Sequence, residues 1–213
     1  MSSTAATAEH RLRDGTRVRL RPIGPADRAR LAAGFEKLSR ESRYRRFFTA
    51  MPELPEKVLD QLIATDGWKH VAIGAEVASD DPAVAEGLGV ARFVRLDDAP
   101  DVAEVAVAVI DEKQGLGLGT LLLAALVAAA REQGIHRFRA ITQSENAAAR
   151  ALVAELTDEV TVHHEEGCLV YEIDLPEDVE QSILGRLLKL AAGGVQFFFK
   201  LIGRDEGEAA TRQ

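Results

Sequence analysis

An apolar segment, a glycine-rich turn and a Leu/Ala-rich stretch follow one another in this chain, and this succession limits its fold more than any other feature. Residues 102–110 are apolar on both faces of an extended strand except at Glu104, which is typical of a central strand covered on both sides. Residues 117–133 are dense in strong helix formers, and Gly134 supplies a C-terminal stop. The sequence thus predicts a strand, a tight turn and a helix, with the turn formed by Gln114-Gly115-Leu116-Gly117-Leu118-Gly119.

The glycine turn predicts a binding site for an anion. The first N–H groups of a helix lack intrahelical partners, and the helix dipole adds positive potential there. Glycines let a phosphate approach the backbone, although a tight turn without a ligand explains them equally well. Two common phosphate motifs fit poorly. A P-loop requires a lysine where this chain has Thr120, and a dinucleotide fingerprint requires G-x-G-x-x-G at the start of a parallel unit.

The hydrophobic pattern predicts an α/β fold with a mainly antiparallel sheet, flanking helices and one strand–helix–strand crossover. Ser144 is the expected N-cap of the last helix of the domain. The predicted strands cover residues 16–21, 70–77, 84–95, 102–110, 136–142, 159–164 and 168–175, and the predicted helices cover 25–35, 39–48, 55–64, 117–133 and 144–156.

The pattern also predicts how the chain is divided. A disordered lead-in covers residues 1–11, and one folded domain covers 12–176. An apolar helical extension follows at 177–203, and the polar residues 204–213 form a disordered tail. The run 197–202 is too apolar to stand free in water, and a homodimer contact explains it better than contact with a membrane surface.

Composition excludes several classes of function. A net charge of −8 argues against nucleic acid as a partner. Cys168 is the one cysteine, so no intrachain disulfide can form, and with no secretory signal the expected location is cytoplasmic. His163 and His164 point to opposite faces of a strand, which is poor geometry for a metal, so no metal is expected.

The glycine turn matches the acetyl-CoA motif Q/R-x-x-G-x-G/A and therefore resembles the GNAT superfamily of N-acetyltransferases. The segment 144–152 is similar to the family's second helix motif, in which an asparagine, here Asn146, faces the pantetheine arm. Segments 12–22 and 38–48 are similar to the bacterial Pat-type protein lysine acetyltransferases. The resemblance implies the GNAT fold for residues 16–175, and it implies that the pyrophosphate of acetyl-CoA binds at Gln114, Gly115, Leu116, Gly117, Leu118, Gly119 and Thr120.

The resemblance also implies which groups carry the chemistry. In this fold the strand before the glycine turn splays from its neighbour, so that backbone N–H groups at Val107, Ala108 and Val109 can bind the thioester oxygen. Glu104 lies where related enzymes carry a catalytic glutamate, and a carboxylate in an apolar strand should have a raised pKa. The alternative is a strand-edge glutamate that is solvated or paired with an arginine such as Arg92.

No tyrosine lies between Asn146 and Leu156, where many GNAT enzymes place their general acid. Tyr44 and Tyr171 are more simply core aromatics, and water suffices as the proton source. The arginines of residues 40–46 form either a solvated helix face or part of an acceptor cleft or a contact to the CoA phosphates.

The chain is therefore expected to be an acetyl-CoA-dependent N-acetyltransferase that acts on a protein lysine or a small amine by direct transfer. Two alternatives stay open: a non-catalytic CoA-binding or interaction module, and a small-molecule acetyltransferase for polyamines or antibiotics.

Overall fold

The computed structural model describes residues 9–79, 81, 85–156 and 160–177. In chain order its elements are β1 (Glu9–Arg11), β2 (Arg17–Pro22), α1 (Arg28–Glu36), α2 (Arg40–Phe47), α3 (Glu56–Ile63), β3 (His70–Val77), β4 (Gly87–Arg95), β5 (Val102–Val109), α4 (Leu118–Glu132), β6 (Arg137–Gln143), α5 (Ala147–Leu156), β7 (Val160–Glu165) and β8 (Cys168–Asp174).

The strands form one eight-stranded sheet in the order β1-β2-β3-β4-β5-β6-β8-β7. Its neighbouring strands are antiparallel except for β5 and β6, which are parallel and joined through α4. This confirms the predicted α/β fold, with a mainly antiparallel sheet and one strand–helix–strand crossover.

Side chains of β4 alternate between two different environments. Ala91 and Phe93 lie in the core with α4, whose residues from Leu121 to Ala130 are all buried. The intervening Val90 and Arg92 line a pocket together with side chains of α1 and α2. The sheet therefore separates a closed apolar face under α4 from a more open face under α1 and α2.

Three predictions about boundaries need correction. Residues 9–11 were assigned to the lead-in, but they form β1 and pair with Arg17–Arg19 of β2. The second central strand begins at Gly87 rather than at residue 84. The last helix begins at Ala147, where the Asn146 side chain accepts a hydrogen bond from the Ala149 N–H at 3.1 Å. Ser144, the expected N-cap, instead donates from its hydroxyl to the Gly167 carbonyl.

The predicted C-terminal extension and tail, residues 177–203 and 204–213, lie outside the described residues apart from residue 177. Within the part that is described, no helix is both long enough and apolar enough to cross a lipid bilayer.

The two faces of the sheet predict different tolerances to truncation. Ile173 on β8 is 1% exposed and packs in the core, whereas Ile141 on β6 is 41% exposed. We expect Ile173→Ala to lower the free energy of unfolding by about 2–5 kcal/mol, because it leaves a cavity among packed side chains. Ile141→Ala, the matched control, should change it by less than about 1 kcal/mol. Urea denaturation measures both, and equal losses would contradict the assignment of the core to the α4 face.

Candidate functional site

Strands β5 and β6 separate after only three paired residues. The parallel register joins Val102, Ala103 and Glu104 to Arg137–Arg139 of β6. Beyond Glu104, β5 still pairs with β4 as far as Val109, but within the described residues its other edge has no strand partner. An open strand edge in the middle of a sheet exposes backbone donors and acceptors to a ligand.

Alternation along β5 decides which N–H groups face the open edge. The N–H of Ile110 donates to the Leu88 carbonyl, on the side of β4, at 3.0 Å. Because successive backbone groups point to opposite edges, the Ala108 N–H also faces β4, whereas those of Val107 and Val109 face the gap. Ala108 is therefore a poor candidate as a donor to the thioester oxygen, and the geometry favours Val107 and Val109.

The glycine turn presents free backbone donors at the start of α4. Gly115 and Gly117 have φ of +71° and +91°, in the left-handed region that favours glycine, and Gly117 is the N-cap of α4. Outside the regular elements, no hydrogen bond within the described part of the chain starts from the N–H of Gly115, Leu116 or Gly117. The first N–H groups of the helix also lack intrahelical acceptors. The turn therefore has the donors that a phosphate requires.

The turn between β1 and β2 holds the glycine turn in place. The Arg13 N–H donates to the Leu116 carbonyl at 3.2 Å, and the Arg13 guanidinium donates to the Gly115 carbonyl at 3.3 Å. Lys113 Nζ lies 2.8 Å from the Asp14 carboxylate and lowers the pKa of that group to about 2. Sequence reasoning gave Arg13, Asp14 and Lys113 no role, because nothing local to either segment shows that they meet.

Two side chains expected to contact CoA are engaged within the protein. The Gln114 amide donates to the Ser42 hydroxyl at 3.2 Å and to the Val109 carbonyl at 3.0 Å, so it joins α2 to the end of β5. The Thr120 hydroxyl donates to Glu155 of α5 at 2.5 Å. Thr120 can still offer its backbone N–H, which lies in the first turn of α4, whereas the Gln114 N–H already donates to the Asp111 carbonyl at 3.2 Å.

The Asn146 side chain is partly committed to the fold. Its carbonyl oxygen caps α5, which leaves the amide NH₂ as the part that can face a bound molecule. The groups left free to meet a ligand are thus backbone N–H groups of the turn and of β5 and, for Asn146, the amide NH₂.

Glu104 faces the open side of the sheet. It lies opposite Val94 of β4 and is two residues from Ala106, whose partner across the ladder is Arg92. Residues two apart on a strand share a face, so Glu104 shares the face of Arg92, under α1 and α2. The sequence predicted apolar surroundings for this carboxylate, but the side chain is exposed. No ion pair to Glu104 forms among the residues that the structure describes, so the expected alternative of an Arg92 pair is not what this structure shows.

A pocket lies beneath α1 and α2, on the face of the sheet that carries Glu104, although Glu104 does not line it. Its cavity volume is about 90 Å³, and it opens to solvent. Arg46 of α2 and Arg92 of β4 line it. Burial lowers the pKa of Arg46, and the Glu104 carboxylate acts in the opposite direction. The two groups are therefore close enough for the charge of one to act on the other.

The other candidate groups stay apart from this site. Tyr171 is 5% exposed within the core, as expected, whereas Tyr44 is 51% exposed on α2 and is not a core residue. In the described ranges no cluster of three or more His, Cys, Asp or Glu residues is arranged to hold a metal ion.

Comparisons with known proteins show what the chain is similar to. Residues 17–156 match the family model of the acetyltransferase (GNAT) domain. The chain is 33% identical over 165 residues to acetyltransferase Pat of Mycolicibacterium smegmatis, which covers 78% of this chain and 48% of that protein. The chain thus spans about half the length of this relative.

Two solved structures resemble the fold. The GNAT domain of S. lividans PAT superposes with a TM-score of 0.71 at 32% identity, covering 82% of this chain and 100% of that one. The structure of yncA from Salmonella typhimurium with its cofactor acetyl-CoA superposes with a TM-score of 0.58 at 22% identity, covering 76% of this chain and 95% of that one. The second likeness concerns the fold alone.

Replacing Gly117, the left-handed glycine at the start of α4, tests whether the glycine turn binds CoA. Gly117→Ala forces a side chain into the conformation with φ +91°, which costs about 1 kcal/mol and turns the free N–H groups away from their present directions. We expect the dissociation constant of CoA, measured by calorimetry, to rise at least about tenfold, which corresponds to 1.4 kcal/mol.

Gly134 provides the matched control, because it has φ +74° at the opposite end of α4. Gly134→Ala should lose similar stability and keep its affinity for CoA. An equal loss of CoA affinity in both variants would show that the effect comes from general destabilisation and not from the turn.

Proposed function

Because this chain belongs to the GNAT acetyltransferase family, we propose that it transfers acetyl from acetyl-CoA directly to the amine of a protein lysine or of a small molecule. One observation carries the proposal. The free N–H groups of the glycine turn, the open edge of β5 and the carboxylate of Glu104 all lie on one continuous strand–turn–helix unit.

The donor is proposed to bind along that unit. The pyrophosphate would meet the N–H groups of residues 115–120, where the helix dipole favours negative charge. The pantetheine arm would then follow the gap between β5 and β6, past the amide of Asn146. This route brings the thioester to Val107 and Val109, whose N–H groups face the gap and can stabilise a developing oxyanion.

The acceptor is proposed to approach from the face that carries Glu104. The amine must first lose a proton, which Glu104 accepts directly or through one water. The nitrogen lone pair then attacks the thioester carbonyl carbon, and the C–N bond forms. The nitrogen of the tetrahedral intermediate loses its second proton to solvent, and as the intermediate collapses the C–S bond breaks and the CoA sulfur leaves as a thiolate, which takes a proton.

The source of this last proton is proposed to be water. Tyr171 is buried in the core, and Tyr44 is exposed on α2, where its backbone carbonyl accepts a hydrogen bond from the Gln143 side chain of β6. Direct transfer requires no acylated side chain, and Cys168 lies on β8 rather than on the strand–turn–helix unit.

The proposed base generates a test. Glu104→Gln keeps the shape of the side chain but cannot accept a proton, so we expect kcat to fall by roughly a hundredfold or more while CoA affinity stays nearly intact. Glu165→Gln, on the exposed edge strand β7, is the control and should leave kcat unchanged. Steady-state assay of CoA thiol release, with calorimetry for CoA, measures both quantities.

Equal loss of turnover and CoA affinity in Glu104→Gln would reject the base assignment. A non-catalytic CoA-binding module would instead bind CoA tightly and release no thiol with any amine of a broad panel. Labelled acetyl-CoA added to a cell lysate, followed by mass spectrometry, distinguishes protein acceptors from small molecules.

A further inference from the structure

The pocket beneath α1 and α2 combines apolar walls with an excess of positive charge. Its cavity volume is about 90 Å³, and the pocket opens to solvent. Its apolar walls come from α1, α2, α3 and the segments beside them, and include Ile23, Leu31, Phe35, Leu38, Phe47 and Leu62.

Part of the positive charge in this pocket is balanced. Arg21 donates to the Asp27 carboxylate at 2.5 Å and to the Glu76 carboxylate at 2.8 Å. Arg30 forms a longer ion pair with Asp27. These two arginines therefore have carboxylate partners within the fold.

Arg92 is buried and has no carboxylate partner within the part of the chain that the structure describes. Its side chain reaches the Leu62 carbonyl at 3.1 Å and approaches the His70 ring at 3.2 Å through Nη1. The residue is 6% exposed, and its Nη2 is buried with no hydrogen-bond acceptor. A buried donor without an acceptor is unfavourable, so Nη2 marks a position where an acceptor is missing.

Arg46 of α2 adds a second guanidinium to the lining of the same pocket. Among the described residues it has no hydrogen-bond acceptor, and its guanidinium carbon lies 4.9 Å from the centre of the Phe47 ring. Burial, and then the charge of Arg46, lower the pKa of Arg92 to about 9. Two cations that repel each other in an apolar pocket are stabilised by an anion between them.

A carboxylate is an anion whose geometry fits these guanidinium groups. A guanidinium presents parallel N–H groups that fit the two oxygens of a carboxylate, and such charge-assisted bonds are among the stronger ones in proteins. Glu104 itself faces the same side of the sheet but is exposed and forms no ion pair with either arginine within the described chain. Among the described residues, no carboxylate thus occupies the position between the two arginines, which leaves it open to the carboxylate of a bound molecule.

We propose that this pocket is a carboxylate site, in which Arg46 and Arg92 bind the acid group of an acceptor that is a small amine with an apolar body. The inference rests on the proposed function for the amine end. That end would point toward Glu104, which lies two residues along β5 from Ala106, the partner of Arg92 on β4. The acid group and the apolar walls then orient the amine, which makes the two arginines binding residues and not bases.

The carboxylate site can be tested without any transfer reaction. Hexanoate has the acid and the apolar body but no amine. We expect calorimetry to show that hexanoate binds the full chain and that hexanamide binds at least tenfold more weakly. Arg46→Gln and Arg92→Gln should each weaken hexanoate at least tenfold and leave CoA binding unchanged.

Arg45→Gln is the control, because Arg45 precedes Arg46 on α2 and pairs with Glu41 outside the pocket. It should bind hexanoate as the unaltered protein does. If Arg92→Gln does not fold, Arg46→Gln alone tests the proposal, because Arg46 is less buried than Arg92. Protein that binds CoA but not hexanoate, or whose hexanoate affinity ignores both arginines, overturns the proposal.

Turnover identifies the acceptor. Norleucine and 6-aminohexanoate should each be acetylated at least tenfold more efficiently, in kcat/KM, than their carboxamides, and Arg46→Gln should abolish that preference. Acetylation of lysine peptides with no preference for either acid would overturn the proposal and leave the proposed function standing. Arginine-dependent binding of hexanoate with no transfer to any amine would support the carboxylate site and reject the proposed function.

Discussion

The parting of β5 and β6 after Glu104 is the constraint on which the rest of the site depends. If the two strands stayed paired, the N–H groups of Val107 and Val109 would be used within the sheet and no gap would lead to them. Unpaired donors in a partly buried strand are unfavourable by about 1–3 kcal/mol each when nothing meets them. The fold therefore carries unpaired backbone donors that a bound ligand can satisfy, and the proposed site of transfer depends on where β5 and β6 part.

The glycine turn is useful only if it stays fixed relative to this gap, and segments distant in sequence hold it there. The β1–β2 turn contacts it from one side through Arg13, and Asp14 binds Lys113. On the other side, Asp111 accepts hydrogen bonds from the Ser39 N–H and the Ser42 hydroxyl at the start of α2. Because α2 also carries Arg46, the contacts that fix the glycine turn also place one side of the pocket that Arg46 lines.

The local patterns of the sequence predicted the fold well, because each depends on a few neighbouring residues. The alternation in β3, the leucines and alanines of α4 and the glycines of the turn are of this kind. The exposure of Glu104 could not be predicted, because the pattern of β5 shows that both faces are apolar but not how far α2 covers one of them. The cap of α5 was misplaced for a related reason, since Ser144 and Asn146 are both good N-cap residues and the geometry of the preceding strand decides between them.

Arg92 illustrates what alternation alone leaves open. Its position shows which face of β4 it takes, but its burial depends on where α1, α2 and α3 cross that face. Burying a guanidinium without a carboxylate is costly for stability, and nothing within a stretch of ten residues reveals that the cost is present. Only the assembled pocket shows that Arg92 and Arg46 both line it and that no carboxylate among the described residues pairs with either of them.

The pairing of β4 with β5 ties these features together, because β5 supplies Glu104 and the backbone donors and β4 supplies Arg92. Odd-numbered residues of β5 pack toward α4, whereas Glu104 points to the open face, so a slip of one residue in the ladder would bury Glu104 and expose a valine. Gly89 disfavours such a slip, because a slip would place a residue with a Cβ at its position. A Cβ at this position would lie 2.9 Å from the Ala108 carbonyl and 3.1 Å from Leu122, so only glycine allows β4, β5 and α4 to approach this closely. The register that places the carboxylate, the backbone donors and Arg92 thus depends on the absence of one side chain.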